Sequence, residues 1–375
     1  MLERDVAARA ASGEVLLAEI DAEPAGTVTL LRPGTPQSRL AVDSEGAGWK
    51  EWVPTPSSVS AGSAALGERT RSDISRKEAT AMGNPAEHEV AVLGLGVMGG
   101  GFAHNLARAG LDTVGWNRST PTAERRAWLG ITISPDVADA AAARVVLTML
   151  PDADTTIAVL EQVVDQLPEQ AIVAQMGTIG VDGTHRLADF LSGSRPDVRF
   201  VDAPASGTRQ PAEQGTVTVL ASGPDAARND PTLTRAFDAV GSRTVWLGEA
   251  GTGTRMKLVI NSWLIATMEG IAETAVLADQ LGFSPEEVWD VLDGGPLASP
   301  YIEGKLRKLQ TGDYSTEMAM RWGAKDAQLA ADAAPGLRLP ALDAAREQWQ
   351  HAAQADPEAD IASVYTFLRA DRNGR

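Results

Sequence analysis

The 375-residue sequence contains no cysteine, and it contains only four histidines. The missing thiols exclude disulfide bonds, thiolate nucleophiles and thiolate metal ligands within this chain. The histidines have no paired-ligand spacing, so we expect no metal site; they are His88, His104, His185 and His351. Any chemistry is therefore expected from oxygen and nitrogen groups.

Positive charge and long apolar runs are also scarce. Lysine and arginine number 33 against 50 aspartates and glutamates, which gives a formal net charge of −17. Nucleic-acid binding relies on clustered lysine and arginine, so we expect no nucleic-acid partner. The start, MLERDVAARA, carries charges where a secretory signal would be apolar, and no uninterrupted apolar run reaches the ~18 residues of a membrane span. We expect a cytoplasmic protein without a membrane partner.

The chain divides into three segments by its pattern. Residues 1–85 are predicted to be an extension or linker, with at most a partial hairpin turning through Pro24 and Gly26. Over residues 86–248, short apolar strands alternate with helical stretches, which indicates an α/β, Rossmann-type doubly wound parallel sheet. The pattern of residues 249–375 predicts an all-helical domain for substrate binding and dimerisation. Its first, long helix carries so much apolar surface that we expect at least a homodimer.

A run of glycines joins the first strand of this sheet to a helix, in HEVAVLGLGVMGGGFAHNLARAG. Three of them form G-x-G-x-x-G, in which the first permits a tight turn, the second lets backbone approach a pyrophosphate, and the third packs helix against strand. The helix N-terminus then directs free N–H groups at the phosphates. We predict a dinucleotide site made by Gly94, Leu95, Gly96, Val97, Met98 and Gly99.

The end of the second strand selects the cofactor. A carboxylate about 20 residues beyond the first glycine favours NAD, but this chain has NRST there, residues 117–120. Arg118 is expected to pair with a 2′-phosphate, and Asn117 and Ser119 to hydrogen-bond to it. The sequence therefore predicts NADP, with NAD as the alternative. Two later strand ends, TMLP and QMGT, place Leu150, Pro151 and Thr178 as candidates for the nicotinamide side.

A pair of polar residues interrupts the apolar helix that starts in GTGTRMKLVIN. Lys257 and Asn261 are spaced i, i+4, so both project from one face. Desolvation lowers the pKa of an ammonium group, and such a lysine can exchange a hydroxyl proton while hydride moves at the adjacent carbon. The alternative is a lysine near the helix start whose ammonium group extends into solvent.

Four blocks occur in order: GLGVMGGGFAHNLARAG, DAPASGTRQPAEQG, GTGTRMKLVIN and KDAQLAADAA. Together they make the chain from about residue 90 to 368 resemble the β-hydroxyacid dehydrogenase family, which includes 3-hydroxyisobutyrate dehydrogenase and semialdehyde reductases and is related to 6-phosphogluconate dehydrogenase. The resemblance implies an NAD(P)-dependent oxidoreductase acting on a CH–OH group. Its reaction would be reversible hydride transfer between a small β-hydroxyacid and its semialdehyde or ketoacid.

The resemblance also implies roles for individual residues. Lys257 would be the general acid/base, and Asn261 would orient the substrate. Lys325 would contact the cofactor, with Asp326 in support. The substrate carboxylate would bind to the loop formed by Ser206, Gly207 and Thr208.

Two departures from the family pattern leave the substrate identity open. Thr208 and Arg209 replace the usual second glycine, and Gly177 precedes Thr178 where the family commonly has serine. Two alternatives accompany the dehydrogenase hypothesis: an imine reductase on the same fold, and a non-catalytic NADP-binding sensor or scaffold. Relatives of both kinds lack the lysine, so Lys257 together with Asn261 favours the dehydrogenase.

Overall fold

The structure, a computed structural model, describes residues 16–20, 23–28 and 86–373. Contacts divide the chain into one unit ending at residue 70 and another beginning at residue 71. In the first unit, β1 (Leu16–Ile20) and β2 (Glu23–Val28) pair antiparallel. Pro24 and Gly26, which were predicted to form the turn, lie within β2 instead. A two-stranded ribbon leaves one edge of each strand unpaired, and a proline without an N–H is tolerated there. The rest of the predicted extension lies outside the described residues.

The second unit is built on six parallel strands, which run in the order β5-β4-β3-β6-β7-β8. Their bounds are β3 His88–Leu93, β4 Thr113–Trp116, β5 Thr132–Ile133, β6 Ala143–Thr148, β7 Ile172–Gln175 and β8 Arg199–Asp202. Five helices follow these strands: α1 Val97–Arg108, α2 Ala123–Leu129, α3 Val137–Ala141, α4 Ala153–Glu161 and α5 Val181–Ser194. The strand order reverses between β3 and β6, the position at which such sheets bind ligands.

Both faces of this sheet are buried. Along β3, Val90 and Val92 belong to one apolar cluster, while Ala91 and Leu93 belong to another. Successive side chains of a strand point to opposite faces, so each face has its own core. The predicted doubly wound architecture is confirmed.

A smaller three-stranded sheet follows, in the order β11-β10-β9. Its strands are β9 Ala205–Ser206, β10 Val217–Ala221 and β11 Gly241–Trp246, with α6 Arg209–Gln214, α7 Asp225–Arg228 and α8 Pro231–Val240 between them. The apolar segment RFVDAPAS forms two strands, β8 and β9, separated at Ala203 and Pro204. Proline has no N–H for a ladder hydrogen bond, which explains the interruption. The strands β10 and β11 were not predicted.

The remainder of the described chain is helical after Trp246, as predicted. It consists of α9 Thr252–Leu281, α10 Pro285–Leu292, α11 Pro300–Thr311, α12 Met320–Asp332, α13 Pro340–Ala355, a 3₁₀ turn Ile361–Ser363 and α14 Val364–Asn373. The 30-residue helix α9 contributes one face to the core around the fully buried Trp349. Among the described helices, none combines the length and apolarity needed to cross a membrane. The boundary between residues 248 and 249 stays a prediction.

Glu269 places a carboxylic acid inside this helical core. Glu269 is only 6% exposed. The Trp349 indole N–H donates to Glu269 Oε2 at 2.7 Å, while Oε1 has no hydrogen-bond partner among the described residues. Burial raises the pKa of Glu269 to about 7, against the Trp349 hydrogen bond and with a further contribution from the Glu273 carboxylate.

We predict that Glu269 makes folding stability fall as pH rises. The folded protein keeps this proton at pH values where the unfolded chain has released it, so stability declines between about pH 4.5 and 7, by roughly 3 kcal/mol in total. Glu269→Gln should remove this decline, as measured by urea unfolding on both sides of that interval. The exposed Glu161→Gln, at the end of α4, is the control. An unchanged pH dependence in Glu269→Gln would contradict the prediction.

Candidate active site

The glycine loop has the geometry of a dinucleotide cradle. Gly94 adopts φ +103°, and a Cβ there would lie 2.4 Å from the Met149 carbonyl oxygen. A Cβ on Gly99 would lie 1.9 Å from the Gly94 carbonyl oxygen, so the third glycine permits the close packing. A Cβ on Gly96 would meet no described atom within 4 Å, and α1 begins at the next residue. Open space beside the free N–H groups of a helix start fits a pyrophosphate.

Two further glycines allow neighbouring helices to approach α1. A Cβ on Gly100 would lie 2.2 Å from the Arg125 guanidinium, and one on Gly101 would lie 2.7 Å from the Ala212 carbonyl oxygen. Arg125 stacks over the Trp128 ring at 4.1 Å and donates a long hydrogen bond of 3.4 Å to the Gly96 carbonyl. This cation beside the loop was not predicted, because an arginine near a helix start carries no sequence signal of a contact with a residue 29 positions away.

The NRST loop is tied to the glycine loop by Asn117. Its Oδ1 accepts a hydrogen bond from Leu95 N at 3.0 Å, and its Nδ2 donates to the Ser119 carbonyl at 2.8 Å. The Asn117 amide is therefore used within the protein, although it was predicted to bond to the 2′-phosphate. Arg118 is exposed and makes no hydrogen bond or ion pair within the described part of the chain. A free guanidinium at this strand end is available to an anion.

Lys257 lies on the buried face of α9 and is 6% exposed, so the alternative of a solvent-extended lysine does not hold. Burial lowers the pKa of Lys257 to about 8; the Asp326 carboxylate opposes this shift, and the Lys325 ammonium adds to it. Asn261, one turn further on, is 2% exposed and donates from Nδ2 to Asp326 Oδ2 at 2.7 Å. The Asp326 carboxylate of α12 thus accepts a hydrogen bond from Asn261 and acts on Lys257 through its charge.

Lys325 joins α12 to the loops that follow β6 and β7. Its ammonium donates to the Pro151 carbonyl at 3.3 Å and to the Thr178 carbonyl, and it lies 3.3 Å from Asp326 Oδ1. These loops carry the residues predicted for the nicotinamide side, including Leu150. A Cβ on Gly177 would lie 2.8 Å from the Leu150 carbonyl oxygen, which explains why glycine stands where the family commonly has serine.

The predicted substrate loop starts at the end of β9, where Ser206 pairs with Thr218 of β10. Gly207 has φ +154°, and Thr208 precedes the first residue of α6. The helix α9 packs against β9, which brings this loop to the helix that carries Lys257. Arg209, which with Thr208 replaces the usual second glycine, adds a cation directly after this loop. Its Nε pairs with Glu213 on the same short helix at 2.9 Å, so that charge is largely compensated.

Outside the site, α9 exposes apolar side chains next to its buried polar ones. Val259 is 61% exposed and Trp263 is 73% exposed. Met256 and Ile260 lie on the same exposed side, at 37% and 39%. Such a patch is typical of an association surface.

Two known protein families match this chain, one over the parallel-sheet part and one over the helical part. The NAD-binding domain family of 6-phosphogluconate dehydrogenase matches residues 89–248. The family described as NAD-binding of NADP-dependent 3-hydroxyisobutyrate dehydrogenase matches residues 251–368.

Curated relatives extend over most of the described chain. Glyoxylate/succinic semialdehyde reductase 1 of Arabidopsis thaliana is 29% identical over 291 residues, which are 76% of this chain and 99% of that protein. An uncharacterized oxidoreductase of Synechocystis is 30% identical over 260 residues, 68% of this chain and 88% of that protein. The cytokine-like nuclear factor N-PAC of Mus musculus is 29% identical over 285 residues, or 75% of this chain. The match spans about half (51%) of that relative's length.

The fold agrees with solved structures. The crystal structure of 3-hydroxyisobutyrate dehydrogenase from Salmonella typhimurium aligns with a TM-score of 0.68 and 26% identity, covering 75% of this chain and 100% of that one. Fold, glycine loop and matches together define an NAD(P)-binding oxidoreductase with a Rossmann-type sheet and a helical C-terminal region. The chain belongs to the β-hydroxyacid dehydrogenase family.

We predict that Gly96→Ala separates cofactor binding from folding. The open space at Gly96 admits a methyl group in the free protein, so the midpoint of thermal unfolding should stay within about 2 °C of the wild type. The same methyl group would occupy the space of the pyrophosphate, so NADPH affinity should fall about tenfold or more. Fluorescence titration with NADPH measures this, with Gly193→Ala on α5 as the control. Wild-type affinity in Gly96→Ala would argue against the cradle.

Proposed function

We propose that this chain catalyses reversible, NADP-dependent hydride transfer between a small β-hydroxyacid and its semialdehyde or ketoacid. The observation that carries the proposal is Lys257, a desolvated lysine with a lowered pKa, on the helix that packs against the predicted substrate loop. The names of the Arabidopsis reductase and the Salmonella dehydrogenase support the same reaction class.

Lys257 has the properties of a general acid/base at neutral pH. A pKa of about 8 leaves both protonation states populated near physiological pH. The ammonium form would donate a proton to the oxygen of the carbonyl substrate during reduction, and the amine form would accept it from the hydroxyl during oxidation. The bound nicotinamide supplies or accepts the hydride.

Asp326 organises this proton transfer. Its Oδ2 holds the Asn261 amide at 2.7 Å, which fixes the direction in which Asn261 faces the substrate. Its negative charge offsets part of the desolvation of Lys257, so the lysine stays basic enough to be protonated. Lys325 would act on the cofactor side by holding the Pro151 and Thr178 loops in place.

The substrate carboxylate is assigned to the loop of Ser206, Gly207 and Thr208. A hydroxyl group and backbone N–H groups can hold an anion locally even in a chain of net charge −17. The exposed Arg118 would likewise attract the 2′-phosphate of NADP. A second copy of this chain is the proposed cover for the apolar patch around Val259 and Trp263 on α9.

We predict that Lys257→Met strongly lowers kcat and leaves NADPH binding nearly intact. The substitution keeps an unbranched side chain in the buried site but removes the proton-transferring group, so kcat should fall about 10²-fold or more. The assay follows NADPH absorbance against semialdehydes, glyoxylate and a cyclic imine.

Each outcome of that assay has a distinct meaning. Lysine-dependent reduction of a carboxylated aldehyde supports the proposal. Turnover of the imine alone would assign the chain to imine reduction. Tight NADPH binding without turnover of any compound would favour the sensor or scaffold hypothesis.

Arg118→Ala is expected to change cofactor preference. The guanidinium has no partner within the described residues, so its loss should weaken NADPH about tenfold or more through the 2′-phosphate and leave NADH nearly unchanged. Titration of both cofactors measures the ratio, and the exposed Arg126→Ala on α2 is the matched control. An equal loss for both cofactors would refute the assignment.

A further inference from the structure

A buried polar junction lies where α9 begins. It consists of four residues, each at most 1% exposed: Thr184, Asp202, Ser222 and Thr254. The Asp202 carboxylate accepts hydrogen bonds from Thr254 N at 2.7 Å, Thr254 Oγ1 at 2.6 Å and Ser222 Oγ at 3.2 Å. The Thr184 and Thr254 hydroxyls lie 3.1 Å apart. A fully bonded buried network of this kind fixes the elements that meet in it.

The junction connects four separate elements of the fold. Asp202 is the last residue of β8, Ser222 follows β10, and Thr184 lies in the first turn of α5. The Ser222 hydroxyl also accepts a hydrogen bond from Gly253 N at 2.9 Å, so two successive N–H groups of the α9 start are satisfied here. Burial raises the pKa of the Asp202 carboxyl group, and the hydrogen bonds from Thr254 and Ser222 at the helix N-terminus oppose that shift.

Backbone contact makes the junction tight. A Cβ on Gly253 would lie 2.2 Å from the Leu220 carbonyl oxygen and 3.0 Å from the Asp202 carbonyl oxygen. The N-terminal turn of α9 therefore rests directly on the ends of β8 and β10. This turn therefore cannot move toward the Leu220 or Asp202 carbonyl groups.

Both halves of the proposed active site lie a few residues from this buried junction along the chain. Lys257 follows Thr254 by three residues, and so lies one helical turn beyond the junction. Ser206 follows Asp202 by four residues, in β9, which is held against β10. Through Asp202, which bonds to Thr254, the junction thus connects the helix turn before Lys257 to the predicted carboxylate loop.

We propose that Asp202 and Thr254 are positioning residues, which set the location of Lys257 relative to the substrate loop. This inference rests on the proposed function. Asp202 does not itself touch substrate or cofactor; it acts through the start of α9. The Thr254 hydroxyl is the part of the junction that can be removed without deleting the carboxylate.

The test compares Thr254→Val with Thr113→Val, the same change at a buried threonine that starts β4, where its hydroxyl donates to the Leu111 carbonyl. Both variants should lose some thermal stability. Thr254→Val alone should lower kcat about tenfold or more, because a small displacement of a catalytic group is costly. NADPH affinity should stay within about twofold of the wild type in both variants. Thr254→Ser, which keeps the hydroxyl, should restore kcat.

A second measurement does not require turnover. Acetylation of Lys257 by acetic anhydride, followed against pH by peptide mass spectrometry, reports the pKa of its amine. A loosened α9 start should admit water, and the pKa of Lys257 should then rise toward its ordinary value in Thr254→Val but not in Thr113→Val.

The outcomes separate this inference from the proposed function. An inactive wild type that binds NADPH would refute the proposed function, and the acetylation profiles alone would then decide the role of the junction. If an active wild type and Thr254→Val share the same kcat, or Thr254→Ser fails to restore it, the junction only stabilises the fold. Identical acetylation profiles in an inactive protein would overturn the inference in the same way.

Discussion

The burial of one ammonium group constrains this structure more than any other single feature. Lys257 is held out of water, and the lowering of its pKa from 10.5 to about 8 corresponds to roughly 3 kcal/mol disfavouring the charged form. Asp326 limits this cost from the neighbouring helix α12. Asp326 is in turn oriented by Asn261 and paired with Lys325, so the charge balance links α9, α12 and two loops of the parallel sheet.

The cofactor side is built in the opposite way, from the absence of side chains. Backbone carbonyl oxygens occupy the space that a Cβ would need at Gly94, Gly99 and Gly101, while the space at Gly96 is open. Close backbone packing therefore surrounds a single unfilled position. That contrast is what a rigid receptor for a pyrophosphate requires.

Charge is distributed unevenly over the molecule. The chain carries a net charge of −17, yet Arg118 follows the second strand of the sheet, Arg125 lies beside the glycine loop, and Lys325 donates to the loops after β6 and β7. Local cations of this kind can draw an anionic cofactor and a carboxylated substrate into an acidic protein.

The sequence by itself determined the features that depend on local spacing. The alternation of strands and helices predicted the doubly wound sheet, the glycine pattern predicted the cradle, and the i, i+4 pair predicted that Lys257 and Asn261 share a face. Only the tertiary structure decided the partners of these groups. The Asn117 bond to Leu95 spans 22 residues, the Asp202 bond to Thr254 spans 52, and the Lys325 bond to Thr178 spans 147. Periodicity reports which face of an element is buried, but packing between elements far apart in sequence selects which polar groups meet there.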